Sequence, residues 1–119
     1  MKKNFSFPRS SKVADLIKHE VAVLFVETIN DPRLRGITIT DVRVTDDLSI
    51  ANVYYVTSDK KENKDVVKAL ESVKGFIKRE IARATNMRRI PELDFHYDDV
   101  FENGLKLEET LRGVKNEGR

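Results

Sequence analysis

The chain has 119 residues, with 22 Lys plus Arg against 20 Asp plus Glu, 39% hydrophobic residues, and neither cysteine nor tryptophan. This length suits a single domain whose core holds without disulfides or a structural metal, and the absent cysteines exclude thiol nucleophiles, Cys-based zinc sites and disulfide redox chemistry. The net charge of +2 conceals a steep distribution, because residues 60–90 carry +6 and residues 91–111 carry −6.

Residues 1–8 read as a flexible basic arm, with no apolar segment behind it long enough for a signal peptide. Ser10 or Ser11 then offers a side-chain oxygen to the first free amides of a helix. Val13, Leu16, Ile17, Val21, Leu24 and Thr28 follow at helical spacing. Asn30-Asp31-Pro32 ends this helix, since proline disfavours helical geometry in the residue before it. The longest apolar run, Val21 to Val26, is far below the roughly 20 residues a membrane helix needs. A soluble, cytoplasmic protein without membrane contact is expected.

Gly36 to Thr45 is rich in β-branched residues and reads as a strand. Ile37 and Ile39 are odd-numbered whereas Val42 and Val44 are even, so the alternation slips at Asp41 and predicts a bulge or burial of both faces. Asp46-Asp47-Leu48-Ser49 is a turn, Ala51 to Thr57 the returning strand of a hairpin, and Ser58 to Asn63 a polar connection. A second helix is predicted over Asp65 to Asn86. Leu93, Phe95 and Tyr97 alternate with Asp94, His96 and Asp98 as a half-buried strand. Leu105, Leu107 and Leu111 suit a short helix over 100–111, and residues 112–119 a disordered tail. The order α-β-β-α-β, with helices packed on one face of a small sheet, is an α+β domain over residues 9–111.

On the second helix, Val66, Leu70, Val73, Ile77, Ile81 and Ala84 share one sector, and Lys64, Lys68, Lys78, Arg79 and Arg83 lie opposite. Gly75 falls on the basic side. A helical glycine costs about 1 kcal/mol relative to alanine, so its place in a basic stripe points to a kink, a packing accommodation or a close backbone approach. A break there exposes amides, and free amides at a helix start bind anions. A lysine-rich face is by default a solvated one, yet solvated helices interleave their signs. The residues alone leave both readings open.

Asn30 to Leu34, Ile37 to Val42, Asp47 to Tyr54, Gly75 to Ile81 and Met87 to Phe95, in this order and spacing, resemble the ribosome-binding factor A family over residues 8–111. The resemblance implies a type II KH domain, α-β-β-α-kink-α-β, with a three-stranded sheet. In typical KH domains a Gly-x-x-Gly loop clamps the nucleic-acid backbone. The family has an Ala-x-Gly helical kink instead, and the triplet here is Val73-Lys74-Gly75, with valine in the alanine's place. It further implies a monomeric factor that binds the free 30S small ribosomal subunit. Such a factor assists late maturation and processing of 16S rRNA near its 5′-terminal helix, and matters most in the cold.

For a phosphate-tracking surface the candidates are Lys68, Lys74, Gly75, Lys78, Arg79 and Arg83, then Arg88 and Arg89 after the helix. Arg9 and Lys12 open the first helix, and Arg33 and Arg35 flank its exit, with local pairing to Asp31 or the acidic stretch as their alternative. A different class of function is a protein-interaction module whose acidic segment 91–111 docks on a basic ribosomal protein; ribosomal proteins or other assembly factors are further expected partners. Hydrolysis with a metal held by Asp98, Asp99 and Glu102 is a third, disfavoured because neighbouring strand residues point to opposite faces. His19 and His96 lack clear ligand partners, and the five glycines form neither a P-loop nor a dinucleotide fingerprint. No catalytic residue, metal or cofactor is expected. Phe5, Phe7, Tyr54, Tyr55, Phe95 and Tyr97 are expected to pack rather than to read bases.

Overall fold

Helix α1 spans Arg9–Glu27 and buries Ala14, Ile17, Val21 and Leu24, steps of three and four residues that lay one face on a sheet. Leu16, expected in that stripe, stays exposed. The amides of Thr28 and Ile29 both donate to Leu24 O, at 2.9 and 2.8 Å, and close the helix. A 3-10 turn, Pro32–Leu34, follows. Its cap is Asp31, whose Oδ1 accepts from Arg33 N at 2.9 Å, and proline suits its first position because no amide is needed there. A computed structural model describes residues 9–59 and 61–100. The arm 1–8, the tail 112–119 and, apart from Val100, the helix expected over 100–111 lie outside the described residues.

Strand β1 (Thr38–Val44) pairs antiparallel with β2 (Ile50–Val56). Ile39 faces Tyr55 and Asp41 faces Tyr54, which leaves Thr40 as the additional residue of a bulge. The bulge brings both Ile39 and Val42 against the core and accounts for the phase slip in the sequence. In the connecting turn, Leu48 N donates to Thr45 O at 2.8 Å. Asp47 Oδ1 accepts from Ser49 Oγ at 2.7 Å, Thr45 Oγ1 at 2.8 Å and Ser49 N at 3.1 Å. Leu48 sits at φ 63°.

Those hydrogen bonds, Ser49's first, hold the Asp47 carboxyl below the ordinary aspartate value of 3.8. A carboxylate depressed by folding contributes stability that is complete above its unfolded value and is lost as pH falls through the folded one. Asp47→Asn is therefore expected to be less stable than wild type at neutral pH, with the difference shrinking as unfolding is followed below pH 3.8. Urea melts at both pH values check this; a pH-independent difference rejects a role for the charge.

Helix α2 spans Lys64–Ala84. Asn63 Oδ1 caps it by accepting from Asp65 N at 2.7 Å, and Asp65 complements the positive end of the helix. Val66, Ala69, Leu70, Ile77 and Ile81 are buried, whereas Ala84, expected inside, is exposed. The helix runs through Gly75 without a break. The expected freeing of amides there is thus corrected: Leu70 and Ile77, on either side, are both anchored in the core, and Gly75 does not enter the left-handed region.

Strand β3 (Glu92–Tyr97) joins β2 in parallel, giving the order β1-β2-β3. A parallel partner needs a crossover, and α2 is that crossover. Glu92 N donates to Ser49 O at 2.9 Å and Asp98 N to Tyr55 O at 2.7 Å, pinning both ends of β3. One core cluster joins Ile17, Val21, Ile77 and Ile81 to Val42, Val53 and Leu93. A second, towards the start of α2, gathers Leu34, Tyr55, Val66, Ala69 and Leu70. Among the described residues, two α-helices and three strands form the expected α+β architecture. On the other side of the sheet, the Tyr54 and His96 rings lie 5.2 Å apart, and His96 Nε2 is 2.8 Å from Asn52 Oδ1.

Candidate nucleic-acid interface

The candidate basic residues, all among the described ones, fall into three groups. The first is on α2. Lys68 and Arg79 are both exposed there and have no carboxylate partner among the described residues. Arg79 lies over Gly75: a Cβ on the glycine would meet only Arg79 Nη1, at 3.4 Å. The neighbouring cations are tied down. Lys74 Nζ pairs with Glu71 Oε2 at 2.8 Å and its side chain is 18% exposed. Arg83 Nη1 pairs with Glu80 Oε2 at 3.0 Å.

Lys78 Nζ reaches across to Glu92 Oε1 on β3, at 3.0 Å. The Lys78 hydrogen bond, with its charge, lowers the Glu92 carboxyl from its ordinary range. Part of the +6 and part of the −6 seen in the sequence therefore cancel inside the molecule. Both groups are open to solvent, where such pairs contribute little to stability. The pair's consequence is electrostatic, a smaller free charge on the helix.

The second group stands at one end of the molecule, where Arg9 from α1 and Arg88 and Arg89 from the α2–β3 segment border one groove. Lys12 is exposed one turn along α1 from Arg9. The third group is at the far end of α1, about 28 Å away by helix length. Here Arg33 Nε and Nη2 grip Asp31 at 3.0 and 2.7 Å, and this fork lowers the Asp31 carboxyl. Local pairing is thus what Arg33 does, while Arg35 is exposed and unpaired among the described residues.

The groove escaped the sequence reading. Its lining comes from residues 9–16, 47–49 and 86–91, and the one local signal was a leucine in an Asp-Asp-Leu-Ser turn, where glycine or asparagine is the usual choice. Among the described residues no group of three His, Asp or Glu is placed to hold a metal ion. Asp98 Oδ2 accepts a hydrogen bond from Thr40 Oγ1, and Glu102 lies outside the described residues. No described helix is long and apolar enough to cross a membrane.

Fold and surface together define a small α+β module with a partly neutralised basic helix face and an arginine-bordered groove. The family model of ribosome-binding factor A matches residues 9–111, and the chain belongs to that family. It is 44% identical over 110 residues to ribosome-binding factor A of Desulfatibacillum aliphaticivorans, covering 92% of this chain and 89% of the relative. Identity is also 44% over 107 residues with the Staphylococcus carnosus protein, covering 89% and 93%. The crystal structure of ribosome-binding factor A from Thermus thermophilus is similar at TM-score 0.67 and 27% identity, covering 74% of this chain and 93% of the other. A homology model of the Thermus thermophilus factor, fitted into a cryo-EM map of a 30S complex, is similar at TM-score 0.54 and 27% identity, covering 68% and 90%.

Proposed function

We propose that this chain is a cytoplasmic, monomeric assembly factor that binds the free 30S subunit through its 16S rRNA. It acts in late maturation and processing near the 5′-terminal helix, with greatest importance in the cold. As a KH-type module it does no covalent chemistry, and by binding one local rRNA conformation better than others it shifts the assembly ensemble toward that state. The carrying observation is the open stretch of α2 where Lys68 and Arg79 lack carboxylate partners among the described residues and Gly75 leaves room beside Arg79. The Thermus relative fitted into a 30S complex supports the same partner.

Removing one phosphate-binding cation reduces the slope of log affinity against log salt by about 1. Lys68→Ala and Arg79→Ala are each expected to do so on purified small subunits. Lys78→Ala should change the slope less, because Glu92 already neutralises that cation. Gly75→Ala raises stability by up to about 1 kcal/mol while weakening subunit binding, since the methyl fills the space a phosphate approaches. Unchanged affinity and slope for both Lys68→Ala and Arg79→Ala reject this surface.

The alternative, docking of acidic segment 91–111 on a basic ribosomal protein, has in its favour that Asp94 and Asp99 carry no cation partner among the described residues. Naked 16S rRNA displaces the chain from subunits under the first reading and fails to under the second.

A further inference from the structure

The groove at the Arg9 end has a volume of about 770 Å³, within the roughly 300–1,000 Å³ of sites that take small organic ligands. Its apolar lining is Val13, Leu16, Leu48, Met87 and Pro91, and its charged border is Arg9, Arg88 and Arg89 with one carboxylate, Asp47. None of the three arginines has an ion-pair partner among the described residues. Asp47 Oδ1 is engaged by Thr45 and Ser49 in the turn. Guanidinium groups bind phosphate in a planar, bidentate manner, so this charge excess favours a phosphate-bearing occupant over a neutral peptide.

Leu48 supplies the second argument. It holds φ 63°, a conformation uncommon for residues other than glycine and, among the rest, favoured by asparagine and aspartate. A large apolar side chain is kept where the backbone favours a small or polar one, and it lines the groove. Strain of this kind gathers where a ligand is gripped.

We infer that the groove captures one unpaired nucleotide of the RNA, its base against Leu48 and Met87 and its flanking phosphates at Arg88 and Arg89. Bases splayed from single strands are held by ring contact, from aromatic or guanidinium planes or, in flipped-base pockets, from apolar side chains such as these, with cationic contact on the backbone. The inference rests on the RNA-binding reading above and assigns it a second, base-contacting site away from Gly75.

The test uses the full chain, an RNA octamer of mixed sequence and the same octamer with abasic sugars throughout, followed by NMR of leucine and methionine methyl groups. The base-bearing octamer is expected to bind roughly 10-fold more tightly and to shift the Leu48 and Met87 methyls. Leu48→Asn, which keeps the turn because asparagine tolerates this φ, brings the two affinities together. Arg88→Gln with Arg89→Gln weakens both octamers. Equal affinity of the two octamers for the wild type, or an undiminished ratio in Leu48→Asn, overturns the inference. Binding of neither octamer overturns it too; if Leu48→Asn then weakens subunit binding, a ribosomal protein is the occupant. The Lys68 and Arg79 salt slopes on subunits read the broader proposal separately.

Discussion

Ile77→Ala is expected to lower the unfolding free energy by about 3 kcal/mol, in the range for deleting a buried branched side chain. Ile77 is 0% exposed and lies in the cluster where α1, α2 and all three strands meet. Close-packed surroundings cannot collapse fully into the space left behind, so a cavity cost adds to the lost transfer free energy. For a domain with a typical stability of roughly 5–15 kcal/mol this is a large fraction. The measurement is a urea melt in which the midpoint falls and the slope is unchanged. Val26, on α1 but 84% exposed, provides the contrast: Val26→Ala should stay within about 0.5 kcal/mol. Equal effects at both positions would mean that the core does not lie between α1, α2 and the sheet.

Gly36→Ala carries the other large expected effect, about 2–3 kcal/mol of destabilisation, from two separable causes. Gly36 is at φ 78°, where an L-residue costs roughly 1–2 kcal/mol. The added Cβ would also stand 2.8 Å from Ser58 Oγ and 2.9 Å from Ser58 Cβ. A seryl Cβ is fixed to its backbone and cannot swing aside, so β1 must shift against the chain leaving β2. Adding Ser58→Gly removes the steric part and leaves the conformational part, so Gly36→Ala in that background should cost only about 1–2 kcal/mol. An undiminished penalty in that background would assign the whole effect to φ.

These two positions differ in how plainly the sequence announces them. Ile77 stands at helical spacing with Leu70 and Ile81, and a period of that length is visible without any partner. The irregularity in β1 was legible as a phase change at Asp41, with a bulge and burial of both faces both open; the register shift between Ile39 and Asp41 decides for the bulge. Gly75 was not. A glycine inside a helix suggests a break, but Leu70 and Ile77 hold both halves against one core, and tertiary packing outweighs the local preference.

Charge was legible as a sum and misleading as a surface. Glu71 with Lys74 and Glu80 with Arg83 stand three apart, a spacing that places side chains together on a helix, and segment totals hide it. Lys78 with Glu92 joins two elements across a separation of 14 residues, which no local pattern reveals. The groove is the extreme case, assembled from three stretches that only the folded topology brings together.

The parallel pairing of β2 with β3 has a consequence for how binding competence arises. A hairpin can form as soon as its two strands exist, but β3 has no place until the α2 crossover has been laid down and docked. Closing that long loop carries an entropic cost that a hairpin turn does not. Its arrival secures Glu92 N on Ser49 O and fixes the segment bearing Arg88, Arg89 and Pro91 beside the Leu48 turn. The groove is therefore a product of tertiary assembly: its Arg88–Pro91 wall stands beside the Leu48 turn only where β3 is paired with β2.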